Sequence, residues 1–214
     1  MSAPLILAIE SATTCAGCAV GTVDGVLASA HTVAARRHAE SLAPQIEAVL
    51  AEAGRTIRDV DVVAVDVGPG LYTGLRVGIT TGRAIAHTLD VPMVPVTSLA
   101  AVARQAGGDV TVAIDARRSE VFHERFDGLL GAGPAVDPAG SLQGSGRAVG
   151  DGAVLYADEL AAAGFTVDAE VTGFALPETL LSIAAERVED AVAATAIEPL
   201  YLRRPDAVAK WGGS

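Results

Sequence analysis

Three acidic residues stand where an α/β protein often carries chemistry, each at the end of an apolar, β-branched run: Glu10, Asp66 and Asp115. If these strand ends converge, the carboxylates could bind a metal ion or act as general acid and base. None of the four histidines lies at ligand spacing from another, and the sequence lacks a Gly-x-Ser-x-Gly nucleophile turn. We therefore interpret the three acids as caps of the turns that follow their strands. We predict no catalytic residue, no metal site and no cofactor.

Two cysteines form a second candidate site, a Cys-x-x-Cys motif at Cys15 and Cys18. A structural zinc site needs four ligands, and the sequence contains no second cysteine pair. A redox pair is typical of a helix start, where the helix dipole lowers the thiol pKa. Residues 15–20 instead read Cys-Ala-Gly-Cys-Ala-Val, which is typical of a strand. We expect both cysteines to be small residues of the core.

The middle of the first half has the strongest pattern in the chain. It predicts a strand over 60–65, a Gly-Pro-Gly turn over 68–70 and a helix from Thr73 to Leu89. This helix carries small residues at four-residue spacing, namely Gly74, Gly78, Gly82 and Ala86. Such a stripe lets another backbone approach closely, although each glycine costs roughly 1 kcal/mol of helix propensity relative to alanine. The neighbour is either a partner protein or the protein's own sheet, and spacing alone does not decide between them.

Further helices frame this segment. One is predicted from about Arg37 to Ala53, with an apolar face at helical spacing, and another begins at Ser98 with Thr97 as its cap. In the second half, residues 131–152 are rich in Gly, Pro and Ser, which predicts loops. A helix from Pro177 to Glu189 follows, with proline at its first position.

The chain also contains a weak internal duplication. A strand ending in Glu10 is followed by a hairpin with an Asp-Gly turn at 24–25, and a strand ending in Asp115 is followed by one at 127–128. The order of elements suggests two α/β lobes, residues 1–106 and 107–214, with Gly107-Gly108 at the boundary. The last segment, from about residue 195 to 214, is expected to pack back on the first lobe.

Composition limits the classes of function. The 214 residues include 15 basic and 26 acidic side chains, a net charge of −11, and half of them are hydrophobic. A protein that grips RNA by itself normally has a basic patch, and here arginine pairs are scattered through an acidic chain. No apolar run reaches the length of a membrane span, and the amino terminus lacks the basic start of a signal peptide. We expect a cytoplasmic protein without membrane contact.

Residues 61–102 resemble two related bacterial families, TsaD and TsaB (YeaZ), which cooperate to make threonylcarbamoyladenosine next to the anticodon of certain tRNAs. In the catalytic family, TsaD, the strand after the glycine-rich helix leads into a His-x-x-x-His metal site. Ser98 and Val102 stand at those positions here and cannot bind a metal. The ending Pro-Leu-Tyr-Leu-Arg at 199–203 is also similar to that of TsaB. The sequence is thus identified as a member of the TsaB family, with the resemblance weakest from about 129 to 175.

The resemblance implies a two-lobed actin-like ATPase and sugar-kinase (ASKHA) architecture with a degenerate active site. The positions that would face a nucleotide are Glu10, Ser11 and Thr13 in the first hairpin, and Asp115 and Arg117 in the second. A phosphate cradle needs close approach of backbone N–H groups. Arginines stand in the second hairpin where TsaD has a Ser-Gly-Gly string. We therefore expect no competent ATP hydrolysis.

It further implies a protein that acts by binding and is not an enzyme by itself. A TsaB subunit dimerises with TsaD and supports transfer of threonylcarbamoyl from threonylcarbamoyl-adenylate to tRNA adenosine, with the ATPase TsaE joining the assembly. Contact with tRNA would be made only through the complex, and a homodimer is expected when the chain is alone. The partner surface carried over from the family lies on the first two helices: Arg37, His38, Glu40, Ser41, Gln45, Thr73, Gly74, Arg76, Val77, Gly78, Thr80, Thr81 and Gly82.

One alternative belongs to a different class of function. The chain could be a self-sufficient actin-like phosphotransferase, with Glu10 and Asp115 at the metal and nucleotide. This hypothesis predicts ATP binding by the isolated chain. The bulky pair Arg117-Arg118 in the second hairpin counts against it.

Overall fold

The computed structural model describes residues 3–33 and 38–203, with the backbone alone for residues 38–41. Its first half alternates strands and helices in the order β1, β2, β3, α1, β4, α2, β5, α3. The strands are β1 Ile6–Glu10, β2 Cys15–Thr22, β3 Gly25–Val33, β4 Val62–Asp66 and β5 Met93–Val96. The helices are α1 His38–Glu52, α2 Tyr72–Leu89 and α3 Ser98–Ala106.

The five strands of the first half form one mixed sheet in the order β3-β2-β1-β4-β5. Strand β1 runs antiparallel to β2 and parallel to β4. Because side chains alternate across a strand, Leu7 and Ile9 face one side of the sheet and Ile6 and Ala8 the other. The first side packs against α1 and α2, and the second packs against helix α6.

The second half builds a second sheet with the same arrangement. Its strands are β6 Val110–Asp115, β7 Glu120–Asp127, β8 Leu130–Gly131, β9 Ala135–Pro138, β10 Gly146–Val149 and β11 Phe165–Val167. The order is β11-β10-β6-β7-β8, with β9 also paired to β7. Strand β6 is antiparallel to β7 and parallel to β10, as β1 is to β2 and β4. The predicted duplication and the two-sheet α/β architecture are confirmed.

Helices cover both sheets and fill the space between them. Those of the second half are α4 Asp151–Leu155, α5 Ala157–Ala162 and α6 Pro177–Glu186. Helix α3 packs Leu99 and Val102 against the second sheet, while Ala101 belongs to the core that α6 shares with the first sheet. On the outer face of the second sheet, α4 and α5 bury a smaller cluster around Leu160.

Two expectations for the second half are corrected. Residues 131–152 are not only loops, because they contain two strands of the second sheet. Strand β9 pairs with β7, and β10 pairs with β6. Helix α6 ends at Glu186, and a short 3-10 turn over Val188–Asp190 follows, so the predicted end at Glu189 is wrong by one turn. Within the described residues, no helix combines the length and apolar character that crossing a membrane requires.

Candidate functional site

The first hairpin, between β1 and β2, uses its polar side chains internally. Glu10 accepts hydrogen bonds at Oε1 from the backbone N–H of Thr13 (2.9 Å) and from its hydroxyl (2.7 Å). The Ser11 hydroxyl donates to the Gly74 carbonyl of α2 at 2.8 Å. All three residues of the hairpin are buried, Glu10 fully. Hydroxyls that could have faced a nucleotide are therefore committed to the fold.

A second buried carboxyl lies beside Glu10. Asp66 ends β4, the strand next to β1, and accepts hydrogen bonds from the Gly68 N–H (2.6 Å) and the Ser98 hydroxyl (2.7 and 2.8 Å). Burial raises the pKa of Glu10 well above its ordinary value, and the neighbouring Asp66 carboxyl raises it further. Burial also raises the pKa of Asp66, although its hydrogen bonds act in the opposite direction. Burial and the neighbouring carboxyl therefore both favour the protonated form of Glu10.

In the second hairpin, between β6 and β7, Asp115 is bound by a residue of the same turn. Arg117 donates from its backbone N–H to Asp115 Oδ1 at 2.8 Å, and its guanidinium lies 3.0 Å from Asp115 Oδ2. Arg117, Arg118 and Ser119 all have left-handed backbones, with φ of 64°, 60° and 60°. Side chains with a Cβ are disfavoured there, and they stand where a phosphate-binding turn would need open backbone N–H groups.

These bonds test the role assigned to the three acids from sequence. Glu10, Asp66 and Asp115 each accept a backbone N–H two or three residues further on, so the turn-capping interpretation is confirmed. Glu10 and Asp66 come together, as adjacent parallel strand ends must. Asp115 has a different set of partners, including the Tyr156 hydroxyl at 3.5 Å.

Sequence reasoning missed one further acid. Asp151 follows β10 and accepts the backbone N–H of Asp115 at Oδ1 (3.0 Å). Burial raises its pKa. The internal duplication contained a signal, since β10 corresponds to β4, and Asp151 stands just after β10, near the position that Asp66 has at the end of β4. A cavity of about 310 Å³ lies beside the second hairpin, lined by Leu71 and Tyr72 at the start of α2, by Asp115 and Arg117, and by residues 200–203.

The glycine stripe of α2 faces the protein's own sheet. Gly74, Gly78 and Gly82 are buried, and a Cβ on Gly78 would lie 2.4 Å from the Ser11 hydroxyl oxygen. A Cβ on Gly82 would lie 3.0 Å from Met93 Cε. Assigning these three glycines to a partner surface is therefore wrong, because their missing side chains let α2 sit close to β1, β4 and β5.

The opposite face of α2 carries the other residues predicted for the partner surface. Thr73, Arg76 and Thr80 are exposed and Val77 and Thr81 are half-buried. Together with Tyr72 they line an open groove of about 450 Å³. On α1, Gln45 is half-buried and donates to the Thr32 hydroxyl at 3.0 Å.

The remaining members of that predicted surface have no described side chain. His38, Glu40 and Ser41 belong to the backbone-only part of α1, and Arg37 lies outside the described residues.

The cysteine pair lies in the core, as expected. Cys15 and Cys18 are both buried in β2 as free thiols. Burial raises the pKa of both thiols, that of Cys18 to about 12. The expectation of small core residues is confirmed for both.

Comparison with known proteins places this geometry in a family. The profile of the family described as "TsaD: tRNA N6-adenosine threonylcarbamoyltransferase" matches residues 30–202. An uncharacterised protein from Mycobacterium tuberculosis is 43% identical over 183 residues, which are 85% of this chain and 82% of that protein. The tRNA threonylcarbamoyladenosine biosynthesis protein TsaB of Bacillus subtilis is 33% identical over 131 residues, 58% of this chain and 57% of that protein.

A solved structure extends the similarity to the whole fold. YeaZ from Pseudomonas aeruginosa is 30% identical, covers 94% of this chain and 100% of its own, and superposes with a TM-score of 0.80. Its two-sheet fold therefore corresponds to the one described above over nearly the full length. The chain belongs to the TsaB (YeaZ) family, within the wider family of threonylcarbamoyltransferase-type domains.

Proposed function

We propose that this chain is a non-catalytic subunit that dimerises with TsaD and supports threonylcarbamoyl transfer to the adenosine next to the anticodon of tRNA. The observation that carries the proposal is the state of the two hairpins. Every acid that could serve a nucleotide there is held by a turn of the chain itself: Glu10, Asp66 and Asp115. A protein of this family whose own site is closed in this way is suited to act through its surface.

The second hairpin gives the strongest support for a non-catalytic role. Enzymes bind phosphate in such turns with backbone N–H groups that a ligand can approach closely. Here the Arg117 N–H is taken by Asp115, and the Glu120 N–H donates to the Arg117 carbonyl at 3.1 Å. The Arg117 guanidinium also neutralises Asp115, which would otherwise be free to bind a metal.

The proposed surface for the partner lies on α2. The groove beside Arg76, Val77 and Thr80 is open, and its floor is the helix itself. Small and hydroxylated side chains at Thr73, Thr80 and Thr81 let a second helix come close. The family resemblance assigns the same face, with the first turns of α1, to TsaD. We propose that the homodimer of the isolated chain uses this face as well.

The charge of the chain fits the remaining parts of the proposal. With a net charge of −11 it is poorly suited to hold tRNA alone. We propose that tRNA is contacted through the complex in the cytoplasm, and that TsaE joins the assembly.

A capture experiment combined with calorimetry tests the proposal. Tagged chain is mixed with TsaD from the same organism, and the isolated chain is titrated with ATP and magnesium. We expect a one-to-one complex and no heat from ATP. Thr80→Arg should prevent capture by filling the groove. The matched control Thr166→Arg, on the exposed face of edge strand β11, should leave capture unchanged.

Tight ATP binding without capture of TsaD would overturn the proposal and favour the alternative, a self-sufficient phosphotransferase. Unchanged capture by Thr80→Arg would mean that the α2 groove is not the binding surface.

A further inference from the structure

Two tyrosines far apart in the sequence stack on the surface at the start of α2. The ring centroids of Tyr72 and Tyr201 lie 5.3 Å apart, with 30° between the ring planes. Both residues are partly exposed, Tyr72 at 44% and Tyr201 at 42%. Tyrosine side chains that combine an apolar ring with a polar hydroxyl are enriched at protein interfaces.

A cation completes the cluster. Arg76, one helical turn after Tyr72, donates to the Tyr72 hydroxyl at 2.9 Å, and its guanidinium carbon lies 5.2 Å from the centre of the Tyr72 ring. Among the side chains that the structure describes, those of residues 3–33 and 42–203, no carboxylate lies at ion-pair distance from Arg76. The guanidinium lies against a tyrosine at the protein surface, where a carboxylate of another protein can reach it.

The ring of Tyr201 belongs to a segment that connects the two sheets, which we call the strap (residues 198–203). The Leu200 N–H donates to the Val67 carbonyl at 2.7 Å, which fixes the strap to the end of β4. At its other end Arg203 donates to the Ala116 carbonyl at 2.8 Å and forms an ion pair with Glu120, while Leu202 packs on the core of the second sheet. Tyr201 lies between these anchors.

We propose that Tyr72, Arg76 and Tyr201 form an anchor site for the catalytic partner subunit, so that the docking surface extends from α2 onto the strap. This inference rests on the proposed function and deepens it. The partner would present a carboxylate to Arg76, flanked by apolar surface for the two rings. Tyrosine and arginine are the residue types that most often dominate binding energy at interfaces, and tyrosine rings lose little conformational freedom on binding.

The position of the cluster supports this occupant. Tyr72 and Arg76 also line the α2 groove, so the cluster and the groove form one continuous surface. Because the strap is bonded to both sheets, a partner resting on Tyr201 would touch a segment that holds the sheets together. Binding there would stabilise their arrangement as well as the contact.

Affinity for TsaD, measured by calorimetry on purified variants, tests the anchor. We expect Tyr201→Ala and Arg76→Ala each to raise the dissociation constant for TsaD by at least about tenfold. Tyr201→Phe keeps the stack and should remain within about threefold of the wild type. Arg125→Ala is the matched charge control, since Arg125 is an exposed arginine of β7 on the second sheet. It should leave the affinity unchanged.

The outcomes separate the anchor from the proposed function. If the wild type binds TsaD and both alanine variants bind equally well, the anchor is wrong and the proposed function stands. If the wild type does not bind, both are wrong. Should Tyr201→Ala lower the melting temperature strongly, its affinity is measured at a temperature well below its unfolding transition, and a wild-type affinity there overturns the anchor. Weaker self-association with unchanged TsaD affinity would assign the cluster to a second copy of this chain and overturn the proposal.

Discussion

Glu10 and Asp66 place two carboxyl groups together in the interior at the ends of adjacent parallel strands. Both are almost fully buried, and among the described residues Glu10 Oε2 has no hydrogen-bond donor. An ionised oxygen in that position is costly. Because burial and the neighbouring Asp66 carboxyl both raise the pKa of Glu10, we expect Glu10 to keep a proton and to share it with Asp66. At the scale of single residues, the pair is predicted to stabilise the fold only while it holds that proton.

Glu10→Gln should make stability less dependent on pH. Since the pKa of Glu10 is raised on folding from its ordinary value of 4.5, the unfolded chain releases this proton first. The contribution of the pair is complete below about pH 4.5 and is lost as the pH rises towards the folded-state pKa. Glutamine keeps the oxygen that accepts from Thr13 and donates permanently to Asp66. In thermal unfolding from pH 5 to 9, the melting temperature of the variant should rise relative to that of the wild type as the pH rises.

The control for this variant is Glu47→Gln, at an exposed position of α1. It should follow the wild-type profile. Parallel pH profiles for Glu10→Gln and the wild type would contradict the shared proton.

Gly78→Ala should destabilise the isolated chain. The added methyl would meet the Ser11 oxygen at 2.4 Å and displace it from the Gly74 carbonyl. Overpacking and the loss of a buried hydrogen bond together outweigh the gain of about 1 kcal/mol in helix propensity, so we expect a net loss of about 1–2 kcal/mol. Urea unfolding measures it. Thr80→Ala, on the exposed face of the same helix, should change stability by less than about 0.5 kcal/mol. If Gly78→Ala were as stable as the wild type, Gly78 would not be packed against Ser11.

At the scale of elements, the turn between β6 and β7 is distinguished by its backbone. Three consecutive residues without glycine, from Arg117 to Ser119, have a left-handed conformation. The hydrogen bond from the Ala139 N–H to the Ser119 carbonyl (2.9 Å) helps to fix it. The turn is therefore held in this conformation by its surroundings.

Ser119→Gly should stabilise the protein. Glycine removes the cost of about 1–2 kcal/mol that a side chain with a Cβ has in a left-handed conformation. Part of this gain is offset because glycine increases the conformational entropy of the unfolded chain. We expect a net gain of about 0.5–1 kcal/mol in urea unfolding. Ser145→Gly, at an exposed serine outside the left-handed region, should instead lose a few tenths of a kcal/mol. A loss at Ser119 as well would argue against strain in the turn.

Elements with strong local signals were predictable from the sequence. Helix α3 begins at Ser98 as expected, because the Thr97 hydroxyl accepts the Ala100 N–H at 3.1 Å and caps it. The short elements between residues 135 and 167 were not predictable. Helix α5 has six residues, too few to be stable alone. It exists because Leu160 and Phe165 pack against the second sheet, and such long-range contacts leave no periodic pattern.

The candidate site was predictable in part for the same reason. Strand ends identify acids such as Glu10 and Asp66, because parallel neighbours must end at one edge of a sheet. The direction of the α2 stripe was not predictable, since glycines permit close approach to a partner and to a sheet equally well. The contact between Tyr72 and Tyr201 depends on the strap, whose path no local pattern gives.

At the scale of the whole molecule, the second half of the chain helps to build both sheets. Helix α6 packs Leu180 and Leu181 against the first sheet, and Ile197 joins the core beneath α2. Arg83 of α2 donates to the Ala194 carbonyl at 3.1 Å. Residues 194–197 therefore support α2, one of the helices proposed to bind the partner. The division at residues 106 and 107 stays a prediction.

We propose that the chain acts through its surface and not through chemistry in its cleft. The most direct measurement is threonylcarbamoyladenosine formation with TsaD, TsaE, tRNA and either wild-type chain, Asp115→Asn or Thr80→Arg. We predict near wild-type rates for Asp115→Asn, which removes the acid of the second hairpin, and loss of stimulation for Thr80→Arg. Full activity with Thr80→Arg and none with a folded Asp115→Asn would contradict the account.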